Sequence, residues 1–375
     1  MAKRFLRKTV KYVLFLLNIF LSLSLLMGCY GGNLFDGKIW LTGLFSFATI
    51  YVLISVLLFF LFWLFAKPML SLVSLGTILV CWKPLKQVFP LNTSYNFSFK
   101  KQDASIRVMS WNVELFNILE HKSHPEKKKE MFWLINDINP DIACFQEMVI
   151  GDSAQHRINF INEFQKKIGM SEYFYSFNPV FDFDKMHHYG IITFSRYPII
   201  KKETLVFKPY DYNSTFQYSD IVRGHDTFRV FNIHLQTFRL SKKNKSYLDN
   251  PSFSNQTGIE ESKNILWKLK VGIQNRQRQS NHIRAVINKS PYPIILCGDF
   301  NDVPNSYAYT TIGKNMQNAF AEKGLGIGNT YDGISPTLRI DNIFADNKFE
   351  VLQFGRFKKK LSDHFPISAD LLFKR

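Results

Sequence analysis

The sequence predicts an α/β domain, its sheets covered by helices, carried behind an apolar helical region suited to a lipid bilayer. Three observations predict it. Residues 1–90 hold long uncharged runs bordered by lysine and arginine. From about Leu91, short apolar runs of strand length alternate with polar stretches of helix length. No internal repeat is visible at any usual repeat period.

Taken in order, Val10 to Tyr30 carries only Lys11 near its start, and Ile39 to Ala66 is 28 residues without a charge. About 20 apolar residues cross a bilayer, so both stretches suit transmembrane helices. Met69 to Trp82 is a third apolar stretch of 14 residues. At about 1.5 Å per residue it falls short of a hydrocarbon core of about 30 Å. It is expected to span with snorkelling lysines and local thinning, the alternative being a re-entrant segment. Lys3, Arg4, Arg7, Lys8 and Lys11 place the N-terminus of this multi-pass anchor in the cytoplasm. Two spans return the rest of the chain to the cytoplasm, and three export it. Lys83 and Lys86 argue mildly against export. Leu26-Met27-Gly28-Cys29 loosely matches a lipoprotein cleavage box, but a second long span follows at once, so the first helix is expected to be retained.

Residues 1–90 are thus the anchor, 91–103 a polar linker, and 104–375 the α/β domain. Ile106–Trp111, Ile142–Phe145, Gly190–Phe194, Phe228–His234, Ile294–Leu296 and Ile340–Phe344 are predicted strands. Glu126–Ile138, Ile158–Ile168 and Ile259–Ile287 are predicted helices, the last broken near Gly272. Arg239 to Gly258, rich in Asn, Ser and Lys, is expected to be a mobile loop.

Lys and Arg number 47 against 30 Asp and Glu, a formal charge of +17. Residues 1–90 hold nine of the bases and one acid, Asp36, so about half of the excess flanks the anchor. The basic balance is therefore not mainly a nucleic-acid footprint. With 46% hydrophobic residues the chain is neither disordered nor collagen-like. Its four cysteines make no disulfide scaffold and no zinc spacing, and are expected to be small core residues.

The chemistry is expected where strand-like runs end in polar residues. These ends are Ser110-Trp111-Asn112-Val113-Glu114, Phe145-Gln146-Glu147, Asn232-Ile233-His234, Gly298-Asp299-Phe300-Asn301-Asp302, Arg339-Ile340-Asp341-Asn342 and Ser362-Asp363-His364-Phe365-Pro366. Strand alternation lets Asp299 and Asn301 point the same way, and likewise Asn232 and His234. Gathered together, five carboxylates would repel one another, and a hard cation with an imidazole partner explains them best. Ser110 and Trp111 are read as support, Asp302 as a turn residue, and His187, His188 and Tyr189 as a solvated loop. Asn232 is an expected substrate contact, and Arg339 either clamps phosphate or pairs with an acid.

This set resembles the endonuclease/exonuclease/phosphatase family over about Ile106 to Phe373, most specifically in G-D-F-N-D-x-P and S-D-H-F-P-I. The resemblance implies two packed β-sheets flanked by helices, a four-layer α/β/β/α sandwich. It implies metal binding by Asn112 and Glu147, with Asp363 a further metal or water-orienting acid. It makes Asp299 and Asn301 the pair holding the attacking water or a second metal, and the scissile phosphate. His364 is the implied catalytic histidine, hydrogen-bonded by Asp341. His234 matches the second histidine of the deoxyribonuclease and sphingomyelinase branches. The role of Glu114 stays open, as does whether His364 is a base or an electrostatic clamp. Mg²⁺ or Mn²⁺ is the implied cofactor, and in-line attack of water on a phosphodiester the implied reaction.

The substrate is less legible. An endonuclease- or exonuclease-like hydrolase is the first expectation. A sphingomyelinase-like lipid-headgroup phosphodiesterase or an inositol-type phosphatase is the alternative, and an inactive scaffold a remote one. Lys263, Lys268, Lys270, Arg276, Arg278 and Arg284 could line nucleic acid or form a solvated face. The aromatics of Val180–Phe183 and Tyr210–Tyr218 fit a lipid headgroup or an edge strand equally. The bilayer is the one further partner expected, with no protein partner.

Overall fold

The computed structural model describes residues 2–374 except 94–95, 121–122, 152–160, 183–186, 208–214 and 252–255. Twelve strands form two six-stranded sheets among these residues. The first contains β1 (Ile106–Asn112), β2 (Ile142–Gly151), β3 (Glu172–Phe177), β4 (His187–Ser195), β11 (Phe349–Arg356) and β12 (Ile367–Phe373), in the order β11-β12-β1-β2-β4-β3. The second contains β5 (Ile199–Val206), β6 (Thr215–Arg223), β7 (Asp226–His234), β8 (Ile294–Asp299), β9 (Met316–Asn318) and β10 (Asp341–Asp346), in the order β5-β6-β7-β8-β10-β9. The sheets stack through an apolar layer that includes Val108, Ile142 and Cys144 of one and Val230, Ile295 and Cys297 of the other. Helices α5 (Pro125–Ile138) and α6 (Ile161–Ile168) bury Met131, Ile135 and Phe164 on the outer face of the first sheet. Helices α8 (Gln256–Ile287) and α9 (Tyr307–Ile312) bury Ile283 and Tyr309 on the outer face of the second. The fold is therefore the four-layer α/β/β/α sandwich, with the short α10 (Ala319–Lys323) beside β11.

Each sheet holds one parallel pair, β1–β2 and β7–β8, among otherwise antiparallel neighbours. Parallel pairing brings carboxyl ends to one edge, which is where ligands bind in such sheets. The register sets Asn112 opposite Gln146, and His234 opposite Asp299.

The N-terminal region contains α1 (Ala2–Leu34), α2 (Leu41–Ala66), α3 (Pro68–Val80) and α4 (Trp82–Val88). Two of these, α1 and α2, are long and apolar enough to cross a membrane, and α3 with α4 form a third candidate bent by 65°. The α1–α2 pair is antiparallel, with Phe15 against Trp63 at one end and the Ser46 hydroxyl donating to the Gly28 carbonyl at 3.3 Å near the other. The α1–α3 pair runs in one direction, since the Ser74 hydroxyl donates to Asn18 Oδ1 at 2.8 Å and the Tyr30 hydroxyl to the Val80 carbonyl at 2.6 Å. The α/β domain sits on the bundle end farthest from Ala2. There Thr310 donates to Asn33 at 2.8 Å, Phe47 meets Phe238 at 5.5 Å, and Asn305 donates to the Pro84 carbonyl at 3.1 Å.

Several sequence expectations are corrected. Helix α8 is not broken at Gly272: a Cβ there would come within 2.6 Å of the Phe238 ring, so the glycine lets that ring pack. The 239–258 stretch is not all loop. Ser241 and Asn244 form a capping box that starts α7 (Lys242–Asp249), while 252–255 lie outside the described residues. The 91–103 stretch is docked, with Phe97 stacked edge-on against Phe357 and Leu91 bridged to Leu325. His187, His188 and Tyr189 belong to β4, where His188 is half-buried against Asp182 at 2.8 Å. The start of the 158–168 helix, Phe183, Tyr210 and Tyr212 lie outside the described residues. All four cysteines are buried and unpaired by disulfides.

Candidate active site

Four side chains converge on one oxygen of Asp299, the last residue of β8. Asn112 Nδ2 lies 3.2 Å from Asp299 Oδ2, Asn301 Nδ2 3.3 Å, His234 Nε2 3.5 Å and His364 Nε2 3.7 Å. Asp299 Oδ1 accepts the Asn301 backbone N–H at 2.7 Å. The preceding Gly298 has φ +152°, and a Cβ there would lie 2.0 Å from the Ile233 carbonyl. Only glycine lets β8 approach β7 closely enough to set Asp299 beside His234.

On the far side of His364, Nδ1 meets Asp341 Oδ2 at 2.9 Å. Asp341 starts β10 and pairs with Asp299 in register, and its backbone N–H donates to the Thr330 hydroxyl at 3.0 Å. The Trp111 indole donates to the His364 carbonyl at 2.9 Å, which pins the 362–365 loop onto β1. Tyr331 packs its ring 5.0 Å from the imidazole.

Glu147 sits in a β-bulge of β2 with φ +55°, a residue that ordinary pairing would have turned elsewhere. Its Oε1 is 3.7 Å from His234 Nε2, and it also hydrogen-bonds the Tyr189 hydroxyl. Asp363 has a side chain 41% exposed, and its backbone N–H donates to the carboxylate of Glu114, itself exposed, at 3.1 Å.

The electrostatics follow from this crowding. Burial pulls the His364 imidazole down, but Asp341, Asp299 and Asp363 outweigh it and hold the ring's pKa well above the ordinary histidine value. Burial likewise opposes charge on His234, and Asp299 and Glu147 reverse it, so that pKa is also raised. Burial raises the Asp299 carboxyl, yet the two histidines and the Asn301 amide hold it below the usual range. Asp341 goes the other way, pushed up by burial against the pull of His364. Glu114 is pushed up by burial and by Asp363. The site therefore favours two imidazolium rings around an ionised Asp299.

Asp299, Asp341 and His364 offer ligand atoms all within 4.8 Å of one another, a spacing compatible with a cation. The cavity in front of them, about 200 Å³, is also lined by Asn112, Glu147, Asn301 and Asp363.

Two expected substrate contacts are not there. Asn232 is fully buried under the site: it accepts from Gln146 at 2.8 Å and donates to the Ile192 and Phe145 carbonyls at 2.8 and 3.2 Å, tying the two sheets together. Arg339 is buried beneath Phe320 and donates to the carbonyls of Gln87, Val88 and Ile327, so it holds α4 rather than phosphate. Asp302 pairs with buried Arg276 at 3.0 Å, in keeping with a structural part. Sequence reasoning missed Gln146, Thr330, Tyr331 and Lys245, together with the apolar residues Phe47, Phe238, Ile334 and Leu338 that complete the cavity. Apart from Gln146, quoted in the Phe145-Gln146-Glu147 strand end without a role, none of these stands in a motif.

The chain was compared with known proteins. Residues 109–364 match the Endonuclease/Exonuclease/phosphatase family, and residues 11–88 match a domain of unknown function (DUF8431). No curated protein matches. Among solved structures, an endonuclease/exonuclease/phosphatase family protein from Leptotrichia buccalis C-1013-b is 17% identical with a TM-score of 0.50, covering 72% of this chain and 100% of its own. An endonuclease/exonuclease/phosphatase from Beutenbergia cavernae DSM 12333 is 16% identical with a TM-score of 0.49, covering 72% of each chain. A mannosyl-6-phosphatase from Bacteroides thetaiotaomicron VPI-5482 is 16% identical with a TM-score of 0.46, covering 72% of this chain and 100% of its own. At such identities the likeness is one of fold. The family match spans most of the chain and every element that carries the site, and the protein belongs to the endonuclease/exonuclease/phosphatase family of phosphoric-ester hydrolases.

Proposed function

We propose that the protein is a membrane-anchored, divalent-metal-dependent phosphodiesterase that cleaves its ester by in-line attack of water. The convergence of Asn112, Asn301, His234 and His364 on Asp299 Oδ2 is the observation that carries this. An ionised carboxylate ringed by four donors can take a proton from water, while the same donors can turn to phosphoryl oxygens.

The residues fit a hard cation. Glu147 and Asp363 are partly open carboxylates at the cavity, Asn112 adds an amide oxygen, and Glu114 is pushed up by burial and then by Asp363, the second a like-charge strain that a cation relieves. Asn112, Glu147 and Asp363 would hold Mg²⁺ or Mn²⁺, which when bound neutralises developing phosphoryl charge. The chain's own groups do the rest. Asp299 orients the attacking water. Asn301 anchors to the Leu235 carbonyl at 2.9 Å and fixes the carboxylate. Asp341 holds the proton on His364 Nδ1, leaving Nε2–H to bind a phosphoryl oxygen as an electrostatic clamp. His234, raised by the same carboxylates, donates a proton to the leaving oxygen.

The bundle geometry supports an exported domain. With α3 and α4 counted as one broken span, three crossings carry the domain to the side opposite Ala2. Six bases, Lys3, Arg4, Arg7, Lys8, Lys11 and the α2–α3 turn residue Lys67, lie at the other end against Lys38, Lys83 and Lys86 at the domain end, an excess that favours a cytoplasmic face there.

The full chain in detergent should hydrolyse bis(p-nitrophenyl) phosphate in preference to p-nitrophenyl phosphate. EDTA should abolish turnover, and Mg²⁺ or Mn²⁺ should restore it. Turnover indifferent to chelation would refute metal dependence, and a monoester preference would favour the phosphomonoesterase reading.

A further inference from the structure

The cavity has two unlike sides. One is the polar floor already described. The other is apolar: Phe238, Leu240, Ile334, Leu338 and Ile340 from the α/β domain, and Phe47 from α2. Lys245 and Arg239 also line it, with Lys245 Nζ 3.3 Å from the Tyr331 hydroxyl. A membrane-region helix therefore supplies part of the cavity's wall.

Phe47 does not stand alone on its helix. Tyr51, Ile54 and Leu58 follow at spacings of four, three and four residues, which places them in one stripe along α2. Tyr51, Ile54 and Leu58 are 49, 51 and 62% exposed, and Ile334, across from Phe47, is 42% exposed. The Tyr51 hydroxyl bonds the Ser335 hydroxyl at 2.8 Å, so the loop carrying Ile334 is tied to this stripe where the exposed apolar surface begins. One apolar track thus leads from the surface that lipid would cover into the cavity beside Asp299 and His364. A tail-free substrate gives these side chains nothing to bury.

The opposite choice, nucleic acid, loses its footing on the same surface. Arg276 of α8 is fully buried on Asp302, Lys268 is engaged by Asn244 and the Arg239 carbonyl, and Arg284 by the carbonyls of Ile312 and Lys314. Three of the six bases on which a phosphate-backbone track would rest are thus engaged by the protein's own acceptors, with Arg276 fully buried.

We infer that the substrate is an amphipathic phosphodiester resident in the bilayer, its phosphoryl group on the Asp299–His364 floor and its hydrocarbon tail along Phe47, Ile334 and the α2 stripe. The inference rests on the phosphodiesterase reading and assigns that site its substrate class. The phosphorus–oxygen bond cleaved is replaced by one to water, leaving a phosphorylated product and an alcohol, one of which keeps the tail.

The test uses the full chain in phosphatidylcholine nanodiscs and three synthetic diesters, methyl, hexyl and decyl p-nitrophenyl phosphate. We expect kcat/KM to rise about a hundredfold from methyl to decyl, since each buried methylene adds transfer free energy. Phe47→Ser and Ile334→Ser should each flatten that slope about tenfold, with the melting temperature of each variant followed to establish folding. Because the two substitutions lie on different elements, loss of one fold leaves the other informative. A flat series, or a slope that survives both substitutions and so reflects partitioning alone, overturns the lipid assignment. So does cleavage of supercoiled plasmid in preference to the decyl ester. Failure to hydrolyse any of these diesters sinks instead the phosphodiesterase reading beneath it.

Discussion

At the floor of the cavity, Asp299 and His364, with Asp341 and His234 packed directly against them, are each at most 4% exposed and held by one another from strand ends or a pinned loop. On the wall, Phe47 and Ile334 are partly open, touch different parts of the chain, and owe their closeness to one hydroxyl pair and the Phe47–Phe238 contact. The difference teaches how the labour divides. Reacting groups need fixed geometry within a fraction of an ångström, so they sit on rigid strand ends. A surface that admits tails of varied length needs only apolar area, and can be shared between a helix and a loop.

Changes on the floor should therefore damage every substrate alike. Asp299→Asn or His364→Ala should lower kcat by about 10³ or more on methyl and decyl esters equally, read by single-turnover kinetics. A loss confined to the decyl ester would erase the distinction between floor and wall. The floor should also carry the pH dependence. His364 has a raised pKa, so its protonated clamp is complete below the ordinary histidine value and is lost as pH rises through the folded one. Asp299 has a lowered pKa, so its ionised form is complete above the ordinary carboxylate value and fails only as pH drops through the folded one. kcat/KM should thus hold a plateau through neutral pH and fall in alkali. A rate that instead falls on acidification through the raised His364 value, as for a ring that must be neutral, would make His364 the base.

Beneath the floor lies a layer that matters for stability and not for chemistry. Asn232→Ala removes the shortest of the three buried hydrogen bonds made by the Gln146 amide and the side-chain donor to two carbonyls, a cost of about 1–3 kcal/mol. Denaturant melts should register it, with KM for the methyl ester little changed. A KM effect above tenfold would return Asn232 to the substrate.

The floor was legible because its residues come in short strings with fixed local spacing: Gly298 to Asp302, and Ser362 to Pro366. One extended strand end and one turn each carry two or three of the floor's polar groups, so the sequence order shows them together. Strands β1, β2, β4, β7, β8 and β10 and helices α5, α6 and α8 followed from apolar periodicity, whereas β3, β5, β9, β11, β12, α9 and α10 did not, nor did the capping box of α7 or the unbroken α8, where a tertiary contact from Phe238 overrides the usual meaning of Gly272. The failures share a cause. Asn232 looked like a ligand because alternation puts it in phase with His234, but the stacking of a second sheet turns that face into an interior. Arg339 looked like a phosphate clamp because it stands beside Asp341, yet its partners are carbonyls more than 250 residues upstream and at Ile327. The wall draws on Phe47, Phe238 and Ile334, which no local pattern connects.

The smallest expected effect is also the one that bears most directly on how the wall is held. Tyr51→Phe removes a single hydroxyl–hydroxyl hydrogen bond to Ser335, so its loss should cost only about 0.5–1.5 kcal/mol. Global stability will scarcely register that. The loop should, because Ser335 also bonds the Thr337 hydroxyl at 2.9 Å and Ile334 has no other tie to α2 shown by a hydrogen bond among the described residues. Amide exchange in the peptide around 331–338 should quicken several-fold in the variant, while exchange in β8 and β10 stays as it was. With the floor unmoved and the wall loosened, turnover of the methyl ester should hold while the decyl preference shrinks. Equal exchange in both proteins would mean that the loop stands without the helix, and that α2 is a neighbour of the cavity and not one of its walls.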